Sequence, residues 1–357
     1  MTTMLVYACI SSHGYGHASR TASVLCELAR LAPGCRLVLS TAVNPAFLTL
    51  AMGETPFELR ACRWDVGMLQ ANALELDPEG TLVALESLEQ QLPAQVEAEA
   101  TWLEAQGTRT MILGDAPPSA ALLARRVRRP LIWLASFGWE SIYRPLGEAF
   151  APWADQALTL YRQGQLLLRC PLSLPMDWEL PSVELGLTCS TPRHDPKEVA
   201  QRLSLPADRE RCVLISFGGL GMEMDPGWLA LWPEHVFVGV DPRVLEAANG
   251  RLLPPDLRPL DVMPLAARMI TKPGYSSFCE AFSQGVGLHV VRREGFAEAP
   301  VLERALREEG WHRLLEEEGF RQGAWELDQP LKAPRAPRLR RDGSGLAAEM
   351  LHRLLLR

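Results

Sequence analysis

Short apolar runs alternate with amphipathic segments along the chain. The first run, Met4–Ile10, is followed by a turn that contains glycine, by apolar residues at helical spacing over 20–31, and by a second short apolar run at 36–40. This order predicts a strand, a helix and another strand. Because strands that alternate with helices form parallel sheets covered on both faces, the beginning of the chain predicts an α/β domain.

The alternation continues after this opening, with one interruption. Strands are predicted at 108–114 and 130–135, with a helix at 119–126 between them. A polar, proline-containing stretch at 186–198 is typical of a linker. After it a second α/β series is predicted, with strands at 211–217, 235–240, 269–271 and 287–292 and a helix at 278–284.

The end of the chain has two segments of different character. Residues 330–341 are rich in Pro and Arg and predict an exposed connector, whereas 345–356 predict an amphipathic helix. The basic side chains of the connector either contact an acidic partner or are simply solvated; they are Lys332, Arg335, Arg338, Arg340 and Arg341.

The length of 357 residues corresponds to two ordinary domains. We predict two Rossmann-like parallel-sheet domains, at 1–188 and 198–341, that face each other across a cleft, and a terminal helical segment at 342–357. Ligands of such sheets bind beyond the carboxyl ends of the strands.

Charge and composition exclude several classes of protein. The net charge is −7, so the chain offers no broad basic surface for nucleic acid or for an anionic membrane. The eight cysteines are scattered, without a CxxC pair or histidines at zinc-ligand spacing, which predicts reduced thiols and no metal site. No window approaches the ~20 apolar residues that cross a bilayer. We expect a cytoplasmic protein with no integral membrane association and no metal or other cofactor.

The loop after the first predicted strand contains two histidines and two glycines. It reads HGYGHASR over 13–20 and directly precedes a predicted helix. Glycines let a ligand approach the backbone, a helix start offers unpaired N–H groups, and a histidine there could act as a base. The alternative is that His13 and His17 only satisfy hydrogen bonds of the turn. A dinucleotide fingerprint fits poorly, because Ser19 replaces its third glycine and no acidic residue follows the second strand.

Asp115 and two glycine turns follow other predicted strands. Asp115 ends a strand in the same half as His17, where it could cap a helix or orient the imidazole. In the second half, GGLG at 218–221 and PGYSS at 273–277 each follow a strand, and the helix that starts after the latter suits a diphosphate. Glu280 lies one turn into that helix, within reach of ribose hydroxyls if the phosphates sit at the helix start.

These stretches together resemble the GT-B glycosyltransferases, particularly the inverting nucleotide-sugar transferases. More closely, the chain resembles the glycosyltransferase-like N-terminal region of plant L-arabinokinases and its stand-alone bacterial relatives. The matching stretches are HGYGHASR at 13–20, VGMLQANAL at 66–74, FGWESIY at 137–143, TKPGY at 271–275, VRRE at 291–294 and EAP at 298–300. The resemblance implies a GT-B fold with an N-terminal acceptor domain, a C-terminal donor domain and a last helix that crosses back to the N-terminal domain.

The resemblance also implies roles for individual residues. His17 would be the general base and Asp115 would orient it, with His13 the less favoured base. The implied donor-binding residues are Gly16, Gly218, Gly219, Gly221, Gly274, Ser276, Ser277, Glu280, Arg293, Glu294 and Glu298. The implied acceptor-binding residues are His13, Asp65, Gln70, Asn72, Trp139 and Tyr143. No metal is implied, because amides and a helix dipole can stabilise a leaving diphosphate and no Asp-x-Asp motif is present.

We therefore expect an inverting, metal-independent glycosyltransferase that moves a sugar from a nucleotide-sugar, expected to be a UDP-sugar, to a hydroxyl acceptor. Two alternatives stay open: a catalytically inactive nucleotide-sugar binding or regulatory protein, and a GT-B sugar-nucleotide epimerase or hydrolase. The kinase half of the plant proteins is not expected, and neither is sugar phosphorylation. Trp228 and Trp232 either line an apolar acceptor entrance or pack in the core. The acceptor, the sugar and the oligomeric state are not predicted.

Overall fold

The computed structural model describes residues 4–69, 76–218, 225–292 and 297–356. Contacts divide the chain into two compact units. The N-unit comprises Met1–Cys189 and Arg340–Arg357, and the C-unit comprises Ser190–Leu339.

A parallel sheet forms the centre of the N-unit. Its strands are β1 (Met4–Ile10), β2 (Arg36–Ser40), β3 (Glu58–Arg60), β4 (Arg109–Asp115), β5 (Leu131–Ala135), β6 (Leu166–Arg169) and β7 (Ser182–Glu184). They are arranged in the order β3-β2-β1-β4-β5-β6-β7, and every neighbouring pair is parallel. The winding direction reverses between β1 and β4, the position at which doubly wound sheets bind ligands.

Helices cover this sheet. They are α1 (Gly16–Leu31), α2 (Pro45–Met52), α3 (Pro78–Ala105), α4 (Ala120–Val127), α5 (Trp139–Tyr143) and α6 (Ala151–Tyr161). The helix α1 begins at Gly16, four residues before the apolar periodicity that predicts it. The sequence analysis did not find α3, whose first turn is capped by the Asp77 carboxylate that accepts from Gly80 N at 2.9 Å.

The C-unit contains a second parallel sheet of the same design. Its strands are β8 (Cys212–Ile215), β9 (Val236–Gly239), β10 (Gly250–Leu252), β11 (Arg268–Thr271), β12 (Gly287–Val291) and β13 (His312–Leu315). The order is β10-β9-β8-β11-β12-β13, so the winding reverses between β8 and β11. The strands β8 and β12 are buried throughout, as expected for apolar runs in a sheet with two covered faces.

Helices of the C-unit include one that the linker prediction missed. They are α7 (Pro196–Leu203), α8 (Gly227–Ala230), α9 (Pro259–Val262), α10 (Tyr275–Gln284), α11 (Ala299–Glu309) and α12 (Glu317–Arg321). The predicted linker at 186–198 therefore ends early: Asp195 caps α7 by accepting from Lys197 N at 2.7 Å, and Pro196 opens the helix.

Trp228 and Trp232 pack against the apolar core of the C-unit. The Trp228 ring contacts Phe320 and Trp325, and Trp232 Nε1 donates to the carbonyl of Gly323 at 2.9 Å. Of the two alternatives for these tryptophans, core packing is confirmed.

The last helix, α13 (Gly343–Leu356), returns to the N-unit and packs on α1. The hydroxyls of Ser23 and Ser344 lie 2.8 Å apart at this contact. Leu187 N donates to Arg340 O at 2.7 Å, which joins the two chain segments that lead out of and into the N-unit. The predicted return of the terminal helix to the N-terminal domain is confirmed.

Candidate active site

The carboxyl ends of β1 and β4 bring the predicted catalytic residues to one edge of the sheet. The two strands are parallel neighbours with Ile10 opposite Asp115. The Ser11 N–H donates to the Asp115 carbonyl at 3.1 Å, which continues the ladder one residue past β1. The chain then turns through 12–15 into α1. Residues separated by about a hundred positions therefore lie side by side.

Asp115 is fully buried and receives hydrogen bonds from three side chains of α1. Its Oδ1 lies 2.8 Å from His17 Nδ1 and also pairs with Arg20 Nη2. Its Oδ2 accepts from Arg20 Nε at 3.0 Å and from Thr21 Oγ1 at 2.6 Å. The side chains at positions 17, 20 and 21, which share one face of the first two turns of α1, thus converge on one carboxylate.

The electrostatics of this cluster define the tautomer of His17. Burial acts to raise the pKa of Asp115, but the Arg20 guanidinium and the hydrogen bond from His17 outweigh burial and lower that pKa to about 2. An ionised carboxylate only accepts hydrogen bonds. In a neutral His17 the ring proton is therefore on Nδ1, and this N–H donates a hydrogen bond to Asp115. The lone pair of the neutral imidazole is then on Nε2, the nitrogen that a general base requires.

Arg20 and Thr21 are site residues that the sequence analysis did not assign. The Arg20 side chain is 2% exposed and its Nη1 donates to Ser136 Oγ at 2.8 Å, beyond the end of β5. It therefore joins Asp115 to the loop after the next strand of the sheet. The signal in the sequence was its spacing of three residues from His17, which places both side chains on the same helix face.

The backbone directly after Asp115 is held in an uncommon conformation. Ala116 has a φ of 77°, the left-handed region that residues with a side chain seldom adopt. Its carbonyl accepts from the Tyr161 hydroxyl, and the Tyr161 ring stacks on Trp178 with 4.1 Å between centroids. Trp178 Nε1 in turn donates to Glu140 Oε1 at 2.8 Å. Such strain persists only where the surroundings hold it, and it is frequent at functional sites.

Four of the predicted acceptor-binding residues lie together in the N-unit. Trp139 Nε1 donates to Asp65 Oδ2 at 2.8 Å, and the Trp139 ring stacks on Tyr143 and meets the His13 ring edge-on. The Tyr143 hydroxyl donates to Gly67 O at 3.0 Å. Burial raises the pKa of Asp65, although donors from Ser11 and Trp139 oppose that shift.

Gly67 has to be glycine for this group to pack. Its φ is 76°, and a Cβ atom there would lie 2.6 Å from the ring of His13. Gln70 and Asn72, the other two predicted acceptor-binding residues, lie outside the described residues.

The predicted donor-binding residues are distributed over several loops. Gly16 is the first residue of α1. In the C-unit, Gly218 follows β8 with a φ of 74°, and Gly274 precedes α10 as its N-cap. These loops stand at the carboxyl ends of β8 and β11, where the winding of the second sheet reverses.

The remaining predicted donor-binding residues lie at two helices or outside the described residues. Ser276 and Ser277 occupy the first turn of α10, Glu280 lies one turn further on, and Glu298 precedes α11 as its N-cap. Gly219, Gly221, Arg293 and Glu294 lie outside the described residues.

The described ranges contain neither a metal-binding cluster nor a membrane-spanning helix. No group of three or more His, Cys, Asp or Glu side chains there is arranged to hold a metal ion. No helix among those residues is both long and apolar enough to span a bilayer.

The fold is that of the GT-B glycosyltransferases, as predicted. The structure is similar to a UDP-glucosyltransferase from Polygonum tinctorium capable of glucosylating indoxyl, with a TM-score of 0.62, 14% sequence identity and coverage of 99% of each chain. It is also similar to Phytolacca americana UGT2 complexed with UDP-2-fluoro-glucose and pterostilbene, with a TM-score of 0.61, 14% identity and coverage of 99% of this chain and 94% of that one. At these identities the similarity establishes the fold alone.

The sequence is also similar to L-arabinokinase of Arabidopsis thaliana. The two are 26% identical over 316 residues, which is 83% of this chain and 29% of the relative. The predicted resemblance to the arabinokinases is confirmed, but the chain spans less than a third of that relative's length. No family model matches the chain.

Proposed function

We propose that this protein is an inverting glycosyltransferase that moves a sugar from a nucleotide-sugar, most simply a UDP-sugar, to a hydroxyl group of an acceptor. The observation that carries the proposal is the buried contact of 2.8 Å between His17 Nδ1 and the ionised Asp115. The names of the structurally similar enzymes, which include UDP and UDP-sugar derivatives, support the choice of donor.

In the proposed reaction, His17 Nε2 accepts the proton of the acceptor hydroxyl. The hydroxyl oxygen forms a bond to the anomeric carbon while the bond from that carbon to the diphosphate oxygen breaks, which inverts the configuration. Asp115 favours this step because its charge compensates the imidazolium that forms. Arg20 Nη2 lies 3.2 Å from His17 Nδ1, and its positive charge disfavours the imidazolium. The negative charge of Asp115 is therefore needed to offset Arg20 as well.

The leaving diphosphate would be bound by the C-unit, and the acceptor by the N-unit. Gly218 and Gly274 have no side chain that would cover the backbone. The ten-residue helix α10 offers the N–H groups of its first turn, which contains Ser276 and Ser277, to an anion. No acidic side chain occurs in that first turn, so nothing there opposes a diphosphate. A metal ion is not required by this arrangement, and we propose that the reaction is metal-independent.

The proposal is tested by nucleotide binding and by turnover. The full chain is titrated with UDP in a calorimeter, and UDP release is then measured with a panel of UDP-sugars and hydroxyl acceptors. His17→Ala is expected to lower the rate about 10²–10⁴-fold, the range for loss of a general base, with UDP binding retained. The matched control is His194→Ala, an exposed histidine, which should leave the rate unchanged.

The alternatives predict other outcomes. Nucleotide binding without turnover would favour a regulatory protein, and consumption of the donor without an acceptor would favour a hydrolase. Turnover that His17→Ala leaves intact would exclude His17 as the base.

A further inference from the structure

A cavity of about 350 Å³ lies along the edge strand β13 of the C-unit, and the proposed transferase reaction does not use it. It is bordered by β13, by α11, by the end of β12 and by the segment after 330. Its lining residues are Arg292, Arg307, His312, Leu314, Glu316, Lys332, Ala333 and Arg335. None of them belongs to the predicted donor-binding or acceptor-binding residues.

The charge of this cavity is opposite to that of the whole chain. The chain carries a net charge of −7, yet four cationic side chains and one carboxylate line the cavity. Glu316 pairs with Arg292 at 2.7 Å, and Arg307 pairs with Glu303 at 3.1 Å. Within the part of the chain that the structure describes, no carboxylate forms an ion pair with Lys332 or Arg335. The two cations contributed by the Pro- and Arg-rich segment therefore remain for a ligand.

Main-chain hydrogen bonds fix the backbone that carries these cations. Lys332 and His312 exchange both backbone bonds, at 2.9 and 3.0 Å, so the segment pairs with β13. The Arg335 N–H donates to Arg307 O at 3.0 Å, which fixes the segment to α11. The segment is exposed, as predicted, but it is more than a solvated connector, because three of its residues line the cavity.

His312 lines the same cavity as these cations. Its ring is buried, and its Nδ1 donates to Gly310 O at 2.9 Å in the neutral form. Burial lowers the pKa of His312, and the nearby charges of Lys332, Arg307 and Arg335 lower it further. The same three cations would act together on an anion that enters the cavity.

We propose that this cavity binds the phosphate group of a small phosphate monoester. Lys332 and Arg335 would be the main ligands of the phosphate oxygens, since guanidinium and ammonium groups form strong charge-assisted hydrogen bonds with phosphate. The cavity is roughly ten times larger than the ~30 Å³ occupied by one water molecule, so it accommodates more than a bare anion. Leu314 and Ala333 offer apolar surface to the organic part of the ester.

The test measures binding to the full chain by calorimetry with three probes: inorganic phosphate, glycerol 3-phosphate and glycerol. Glycerol 3-phosphate is expected to bind more tightly than inorganic phosphate, and glycerol not to bind. Equal affinities for the two anions would show a site for free phosphate and would overturn the assignment to an ester. If neither inorganic phosphate nor glycerol 3-phosphate binds, the proposal is overturned.

A pair of matched variants locates the site. Lys332→Ala combined with Arg335→Ala should weaken glycerol 3-phosphate binding at least tenfold, because two charge-assisted hydrogen bonds are lost. The control is Arg304→Ala with Arg338→Ala, two exposed residues of the same unit outside the cavity, which removes the same charge. Equal weakening in both double variants would indicate diffuse charge attraction and contradict a built site.

A measurement on the unaltered protein keeps the proposal testable if a variant fails to fold. An anion beside an imidazole favours the protonated form, so glycerol 3-phosphate should raise the pKa of His312, measured by NMR of its ring. Calorimetric binding with no change in the titration of His312 would place the ligand elsewhere and overturn the proposal.

Discussion

Two buried histidines, one in each unit, lie next to an arginine, but among the described residues only the one in the N-unit also contacts a carboxylate. In the N-unit, His17 Nδ1 is 3.2 Å from Arg20 Nη2 and 2.8 Å from Asp115 Oδ1. In the C-unit, His289 Nε2 is 3.2 Å from Arg268 Nη1, and its Nδ1 is 2.8 Å from the carbonyl of Trp325. Burial and the charge of Arg268 lower the pKa of His289 to about 3.

The carboxylate of Asp115 distinguishes the surroundings of His17 from those of His289. His289 uses both ring nitrogens: Nδ1 donates to a carbonyl, and Nε2 accepts from Arg268, so no lone pair remains for a substrate. His17 uses only Nδ1 in the contacts described above, and Asp115 offsets the charge of Arg20. A histidine buried beside an arginine is thus inert by itself, and it becomes a candidate base only when a buried carboxylate accompanies the pair.

The largest effect is expected for Asp115→Asn, which would make the surroundings of His17 more like those of His289. The neutral amide no longer favours the Nδ1–H tautomer or the imidazolium, so glycosyl transfer should slow by about 10³–10⁴-fold, as in other His–Asp pairs. Arg20 would also be left as a buried cation, which should lower the free energy of unfolding by about 3–5 kcal/mol. Rates of UDP release and urea unfolding measure the two effects.

The control for this variant is Asp241→Asn. Asp241 also pairs with an arginine, Arg243, but at a partly exposed position of the C-unit. It should change both quantities little, since exposed pairs contribute about 0–1 kcal/mol. An Asp115→Asn enzyme with an unaltered rate would contradict the role assigned to the carboxylate.

Arg20→Met should have the next largest effect, by leaving Asp115 without its guanidinium. A carboxyl whose pKa in the folded protein is lowered stabilises the fold above its pKa in the unfolded chain, and that stability is lost as the pH falls through the folded value. For a shift from 3.8 to about 2, the contribution of Asp115 is about 2–3 kcal/mol. In the variant this contribution should vanish, so acid unfolding should begin at a higher pH.

Urea unfolding between pH 5 and pH 2 checks this prediction. Arg30→Met is the matched control on the same helix, because Arg30 pairs with Glu27 while its side chain is 71% exposed. It should change the free energy of unfolding by less than about 0.5 kcal/mol. Identical acid profiles for the two variants would show that Arg20 does not hold the charge of Asp115.

The parts of the fold that follow apolar runs could be predicted from the sequence. The bounds of β1 and β2 agree with prediction because both runs are apolar and end at polar or glycine residues. The long helix α3 could not be found, since a proline inside it, Pro93, argues against a continuous helix and only seven of its 28 residues are buried.

The candidate site also has residues that could be predicted from the sequence and one that could not. Parallel neighbouring strands imply that His17 and Asp115 share an edge, and the structure brings them together. Arg20 was not assigned, because an arginine early in a helix normally lies in solvent. Its spacing from His17 indicates a shared helix face, but its burial depends on a carboxylate 95 residues further along the chain, which that spacing does not reveal.

A pH effect of about 2 kcal/mol is expected from His289, the inert member of the comparison. A histidine whose folded pKa is lowered binds fewer protons in the folded state, so stability falls as the pH drops below about 6.5 and continues to fall to about 3. From pH 6.5 to pH 5 the loss is about 2 kcal/mol. His289→Gln should remove this slope in urea unfolding, and His194→Gln, at an exposed position, should retain it. A slope unaffected by His289→Gln would mean that other groups cause it.

The smallest effect is expected for a neutral contact on the same helix that carries His17 and Arg20. Ser23 Oγ donates to Arg20 O at 2.7 Å and lies 2.8 Å from Ser344 Oγ, which anchors α13. Ser344→Ala should lower the free energy of unfolding by about 1 kcal/mol, the usual value of one neutral hydrogen bond, and leave turnover intact. Ser87→Ala, at an exposed position of α3, is the control and should stay within about 0.5 kcal/mol of the unaltered chain. Suppose that Ser344→Ala destabilised the chain as much as Arg20→Met. The buried pair of Arg20 and Asp115 would then contribute no more to stability than one neutral hydrogen bond, and it would not distinguish the surroundings of His17 from those of His289.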